Sequence, residues 1–154
     1  QSIPGCERAV LKTMFPRALG RDTFRSVGET IVSKQDFLDA TDFEDKICNA
    51  FNYIDLHSEK NGCDISFLKS PDLLPKVPFS ALIPKGSNRL TVAGRILSAE
   101  KIAFAGIRAQ CTCMAMGQAM GAAAVLAIRK GITSREVNPK DIVAMTMEHG
   151  AVSV

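Results

Sequence analysis

Apolar positions recur along this chain with two different spacings, and those spacings predict its elements. Residues 6–15 read as a short helix, stopped by Pro16 and Gly20. Phe24 to Ser33 (FRSVGETIVS) alternates in part and is rich in β-branched residues, which predicts a strand. Ser33-Lys34-Gln35-Asp36 has a capping serine and a first-turn acid, which predicts a helix over 34–39. Phe43, Ile47 and Ala50-Phe51 fall at i, i+4 and i+7 and predict a second helix over 42–51. Residues 53–57 (YIDLH) and 65–69 (ISFLK) read as strands, joined by a 58–64 turn around Asn61-Gly62. Pro71, Pro75, Pro78 and Pro84 argue against a central strand or long helix across 70–79. Residues 79–83 (FSALI) read as an edge strand, and Leu90–Ala93, ended by Gly94, as a buried one.

The second half carries the strongest signal. No charge interrupts residues 109–128 (AQCTCMAMGQAMGAAAVLAI), which lie between Arg108 and Arg129-Lys130, with Gly131 as a stop. The length fits a bilayer, and Gly117-x-x-x-Gly121 matches the close-packing pattern of membrane helices. Two glutamines, Gln110 and Gln118, and an Ala/Gly/Met-rich composition argue instead for a buried helix of an α/β protein. Small residues there let a strand, a helix or a cofactor come close, and the helix start offers free N–H groups to an anionic ligand. Asn138-Pro139 caps a last helix over 139–149, ended by Gly150.

Composition narrows the classes. The chain has 154 residues, 46% hydrophobic and 23% charged, as a folded globular chain does. Its 19 basic residues are scattered and aromatics are few, so it lacks the basic, aromatic-laced stripe of a nucleic-acid binder. Five cysteines, at 6, 48, 63, 111 and 113, form no disulfide framework, and free thiols point to a reducing cytoplasm. Cys111-Thr-Cys113 has no second ligand pair, and His57 and His149 are the only histidines, so no metal site is expected.

Several segments, in order, resemble one family. Val77–Gly86 (VPFSALIPKG), Leu90–Arg95 (LTVAGR), Ile107-Arg108 and Cys113–Ala124 (CMAMGQAMGAAA) resemble the C-terminal part of FAD-dependent oxidoreductases. Ile3–Glu7, Leu19–Gly28 (LGRDTFRSVG), Phe43-Glu44-Asp45 and Ile54–His57 (IDLH) resemble the same family's preceding segments. These flavoproteins open with a strand, G-x-G-x-x-G and a helix that hold the FAD pyrophosphate, and no such motif occurs in these 154 residues. The resemblance therefore implies an α/β chain, or an α+β fragment of one. Residues 1–76 would belong to a mixed α+β substrate (cap) domain. Residues 77–154 would supply the last strand and long helix of a Rossmann-like FAD domain. Its partners would be a small-molecule substrate and an N-terminal FAD-binding half, with no nucleic acid and no membrane. Alone, the chain would bind FAD weakly or not at all and would expose surface that favours homo-oligomers.

The resemblance also implies roles. Ala93, Gly94 and Arg95 would meet the flavin, with Gly94 sparing it a Cβ clash. The helix start at Thr112, Cys113 and Met114 would aim N–H groups at the pyrimidine end, where reduced flavin is anionic. Gly117 and Gln118 follow on the same helix, and Gly117 with Gly121 would let it pack closely on the sheet. Arg25 and Arg108 would fix a carboxylate or oxyanion, and His57 would take a hydroxyl proton. The alternative for each of these three is a structural role. The chain departs from the family at Phe24-Arg25, where two arginines are common, at Asp22, where Glu is usual, and at Lys101, where His is frequent. A non-catalytic helix-packing or membrane-associated interaction module built on the uncharged helix is the rival reading.

Overall fold

The computed structural model describes residues 4–5, 7–10, 12–14, 16, 24–58, 62–68, 70, 72–152 and 154, with backbone alone at 57, 58 and 62–66. Among them, in chain order, are α1 (Lys34–Asp39), β1 (Lys46–Asn49), β2 (Ile54–Ser58), β3 (Gly62–Ser66), β4 (Lys76–Pro78), α2 (Lys101–Ile107), α3 (Gln110–Lys130) and α4 (Pro139–Glu148). Single 3-10 turns cover Phe79–Leu82 and Ser134–Glu136. The architecture is thus helices with two small antiparallel sheets, β1–β4 and β2–β3.

α1 begins where its capping box predicts. The Asp36 N–H donates to Ser33 Oγ at 3.1 Å, and Asp36 Oδ2 accepts from the Ser33 N–H at 2.9 Å. Burial works to raise the Asp36 carboxyl pKa. The bonds from the Ser33 hydroxyl and N–H and from Thr41 outweigh it and hold the group below its ordinary value, against the nearby charge of Asp39. Ala40, at φ 50°, closes the helix.

The expected helix over 42–51 is instead β1. The i, i+4, i+7 pattern is a coincidence of a run buried on both faces: Ile47, Cys48, Asn49 and Ala50 are all at most 5% exposed. Such a run is what a fully enclosed strand looks like. Its ladder partner is β4, with Cys48 opposite Val77 and Asn49 opposite Lys76. Lys76 Nζ donates to the buried Asn49 Oδ1 at 2.6 Å. β4 forms despite the prolines around it because Pro78 sits at its last position, where a missing N–H costs nothing.

Four other segments differ from expectation. Residues 79–83 make a 3-10 turn because Phe79, Ala81, Leu82 and Ile83 are buried without alternation. Residues 24–33 form no strand: they bend at Glu29-Thr30 and pair only as isolated bridges, Gly28 with Pro84 and Val32 with Ala99. A Cβ on Gly28 would lie 2.8 Å from the Ser98 Cβ, so this contact requires glycine. Leu90–Ala93 have no ladder partner among the described residues; the Val92 N–H donates to the Leu82 carbonyl at 2.8 Å. Of residues 6–15, those described are turn or coil rather than helix, and the rest lie outside the described residues.

The β2–β3 hairpin has the expected pairing partners but a tighter turn. His57 lies opposite Cys63 and Ser58 opposite Gly62, so the return strand starts at Gly62 rather than at 65. α2 has no strong sequence period, yet Ala103 to Ile107 are all buried. It packs against Phe37 of α1: a Cβ on Gly106 would fall 2.1 Å from the Phe37 ring. α3 places Thr112, Met116, Ala119, Met120, Ala123 and Ala127 in the core and ends at Gly131, φ 64°. By length and composition this helix could cross a membrane, and 39% of its apolar window is buried against the rest of the chain. α4 is capped by Asn138, whose side chain accepts from the Lys140 N–H at 3.0 Å. The boundary expected at 76/77 falls inside β4, and one core cluster takes residues from both sides of it.

Two substitutions test this packing. Gly106→Ala forces a methyl into the buried Phe37 ring and lowers unfolding free energy by about 1–3 kcal/mol in a urea titration. Ser33→Ala costs about 1 kcal/mol at neutral pH. The Asp36 pKa is lowered on folding, so its contribution is complete above about pH 4 and fades as pH falls through the folded value. The difference between wild type and Ser33→Ala therefore shrinks in acid.

Candidate functional site

The start of α3 faces a cavity of about 590 Å³ lined by Gly94, Arg95, Gln110, Cys113 and Met114. Gly94 has φ +79°, a left-handed conformation that side-chain-bearing residues rarely adopt. A Cβ there would meet only Cys113, at 3.9 Å, so backbone conformation rather than space demands the glycine. α3 begins after Ala109 with no side-chain cap. Its first-turn N–H groups therefore have no partner within the helix, and the positive end of the helix dipole lies at Gln110. The first bond of the ladder runs from the Cys113 N–H to the Ala109 carbonyl at 2.9 Å.

Of the residues singled out from sequence, the fold gathers Gly94, Arg95, Cys113 and Met114 around this cavity, with Ala93 exposed beside Gly94. Thr112 is 0% exposed on the core side of the helix, and its Oγ1 has no hydrogen-bond partner among the described residues. Gln118 lies a turn further along, on a second cavity of about 470 Å³ that also includes Cys48, Phe51, Cys111, Met114 and Thr146. Gly117 and Gly121 are exposed, and an added Cβ at either meets nothing within 4 Å. The close packing expected of them is thus not made by any described residue. Gln110, which also lines the cavity, carries no sequence motif of its own; its position as first residue of the uncharged helix is the one signal that marks it.

The three expected substrate-side residues are spread along the junction of α2 and β2. Arg108 Nη2 donates to the Asp55 carbonyl at 3.0 Å and lies 3.4 Å from Asp55 Oδ2. Its side chain is 15% exposed and that of Asp55 28%, so the pair is partly shielded from solvent. Asp55 is a second residue not singled out from sequence, although it stands in the quoted IDLH segment. Arg25 stacks its guanidinium 4.8 Å from the centre of the Phe104 ring of α2. His57 is two positions beyond Asp55 in β2, and its side chain lies outside the described residues. Lys101 is exposed at the first position of α2. Among the described residues no His, Cys, Asp and Glu side chains gather in a group of three or more able to hold a metal ion.

The thiols differ in character. Burial pushes Cys48 up to about 12, with a small further push from Cys113. Burial also raises Cys113, opposed by the Arg95 guanidinium and assisted by Cys111. The Cys113 thiol donates weakly to the Arg108 carbonyl, with Sγ 3.5 Å away. Cys111 is exposed. With a neutral thiol-specific disulfide reagent at pH 8, of these three described thiols Cys111 reacts first, Cys113 more slowly, and Cys48 only on unfolding; peptide mapping of the labelled chain checks the order.

Known proteins supply the remaining observation. No curated protein and no solved structure gives a significant match to the chain. A family model described as FAD dependent oxidoreductase matches residues 1–145, nearly the whole sequence. With a glycine of left-handed conformation, an arginine and an uncapped helix start converging on one cavity, the chain belongs to the FAD-dependent oxidoreductase family, whose cofactor is FAD.

Proposed function

We propose that this chain forms the substrate-side and flavin-ring-side portion of an oxidoreductase that moves a hydride between a small organic substrate and flavin N5. The observation that carries the reading is the convergence of Gly94, Arg95 and the uncapped start of α3 on one cavity. These residues fit a flavin ring: the glycine bares its backbone, and the first-turn N–H groups with Arg95 favour negative charge. FAD, when bound, supplies the two-electron acceptor.

The chain's own residues then divide the work. The α3 start and Arg95 would hold the flavin ring, their N–H groups and guanidinium favouring negative charge beside them. Arg108, held by Asp55, fixes the joint from which α3 departs. His57 takes the substrate hydroxyl proton, and Arg25, anchored on Phe104, provides positive charge on the substrate side. Residues 1–76 serve the substrate and 77–154 the cofactor. The pyrophosphate is held by a separate dinucleotide-binding half, in keeping with the lack of G-x-G-x-x-G in this sequence. The outer face of α3 supports such a partner, or a second copy of the chain: it carries no charge between Gln110 and Ile128, while Met114 is 74% and Ile128 82% exposed. The reading places the protein in the cytoplasm, on its free thiols.

The 154-residue chain purified alone is expected to be colourless, and to retain flavin only when co-expressed with a dinucleotide-binding half. A stoichiometric flavin spectrum on the chain alone contradicts the division of labour. In the co-expressed complex, Gly94→Ala adopts the left-handed backbone at a cost of roughly 1–2 kcal/mol. Flavin affinity measured by fluorescence quenching then falls about tenfold. Unchanged affinity removes Gly94 from the site.

A further inference from the structure

The β2–β3 hairpin and the cavity at Gly94 are joined through one guanidinium. Arg108 closes α2, its N–H donating to the Phe104 carbonyl at 3.0 Å, and Ala109 opens α3 with no side-chain cap. Among the described residues, the side-chain bonds made across 108–113 are those of Arg108 to Asp55 and of the Cys113 thiol to the Arg108 carbonyl. Asp55 stands 53 residues earlier in the chain. Its strand pairs only with β3 among the described residues, and a two-stranded hairpin is marginal on its own. A tie between β2 and the helix joint therefore fixes both.

The tie reaches the cavity in two short steps. The Arg108 carbonyl accepts from Cys113 Sγ at 3.5 Å. Cys113 lines the cavity beside Gly94, where an added Cβ would stand 3.9 Å from the Cys113 Cβ. A shift of Arg108 thus moves the thiol and the wall next to Gly94. Little slack is available on either side to absorb it. Ala103 to Ile107 of α2 are buried, as are Thr112 and Met116 of α3, and packed interiors transmit displacement.

We infer that Asp55 is a positioning residue for the cavity at Gly94: it holds Arg108, and through Arg108 the first turn of α3. The inference rests on reading that cavity as the flavin-ring site. The side chain of Asp55 matters as well as its carbonyl. Any residue in β2 offers a carbonyl, but the carboxylate adds a counter-charge to a guanidinium that is largely covered. Without that counter-charge the covered cation is better solvated elsewhere, and the joint loses its fixed direction.

The test compares Asp55→Asn, Arg108→Gln, the double variant and Asp55→Glu in the 154-residue chain, reading how fast a neutral disulfide reagent labels Cys113. Cys111 is the exposed reference, and the buried Cys48 reports general opening. Asp55→Asn and Arg108→Gln should each speed Cys113 about fivefold, and the double variant no more than either alone. Asp55→Glu, which keeps the charge, should stay near the wild-type rate. The first two substitutions change local charge in opposite directions. An electrostatic effect on the thiol alone would therefore speed one and slow the other. Opposite effects overturn the inference, as do unchanged rates, additive effects, or labelling of Cys48 together with Cys113. Lumiflavin titrated into the same proteins reads the site itself, and its affinity should fall about fivefold in each single variant. The expected thiol rates with no lumiflavin binding to the wild type leave the tie and remove the flavin-site reading. Lumiflavin binding that neither variant weakens leaves that reading and overturns the role of Asp55.

Discussion

The joint before α3 depends on one side chain. Arg108 stands between α2 and α3, and its guanidinium reaches back to β2, where the Asp55 carbonyl accepts at 3.0 Å. The carboxylate of the same residue lies 3.4 Å away. The Arg108 carbonyl meanwhile accepts from the Cys113 thiol inside the first turn of α3. One residue therefore ties the hairpin to the helix whose start is offered to a ligand. At 15% and 28% exposure the ion pair is shielded enough to matter, yet solvated enough that its value lies in direction more than in stability. Gly94 completes the arrangement by bringing its backbone to Cys113 from the other side.

Charge is distributed to match. Among the described residues the cavity at Gly94 has one cation, Arg95, together with the positive end of a 21-residue helix. The 470 Å³ cavity beyond Met114 has no charged lining among the described residues. The exposed, uncharged face of α3 lies on a third side, where Gly117 and Gly121 leave open room for another backbone to approach.

Much of this was legible in the sequence, and the losses have physical causes. α1, α3 and α4 begin and end where local chemistry dictates: Ser33 with Asp36, Arg108 with Gly131, and Asn138 with Pro139. Caps and stops act within a few residues, so a sequence displays them directly. β1 was mistaken for a helix because its burial comes from β4, nearly thirty residues away, and enclosure on both faces erases the alternation that marks a strand. α2 was missed for a related reason: its apolar run is continuous because Phe37 and the core cover it on all sides. The Leu90–Ala93 run has strand composition but no neighbour to pair with among the described residues. At the site, Gly94, Arg95, Cys113 and Met114 were found by the resemblance of short segments. Asp55 was not, because its role is set by what faces it in space.

The central claim is that the start of α3, with Gly94 and Arg95, is the surface that receives the flavin ring. Lumiflavin carries that ring without phosphate or adenine, so it reports on this surface alone. Titrated into the isotopically labelled chain, it should produce saturable shifts at the amides of Gly94, Arg95 and Gln110 to Cys113, attenuated by Arg95→Ala. Saturable shifts confined to another face, or none up to the solubility limit of the ligand, would contradict the account.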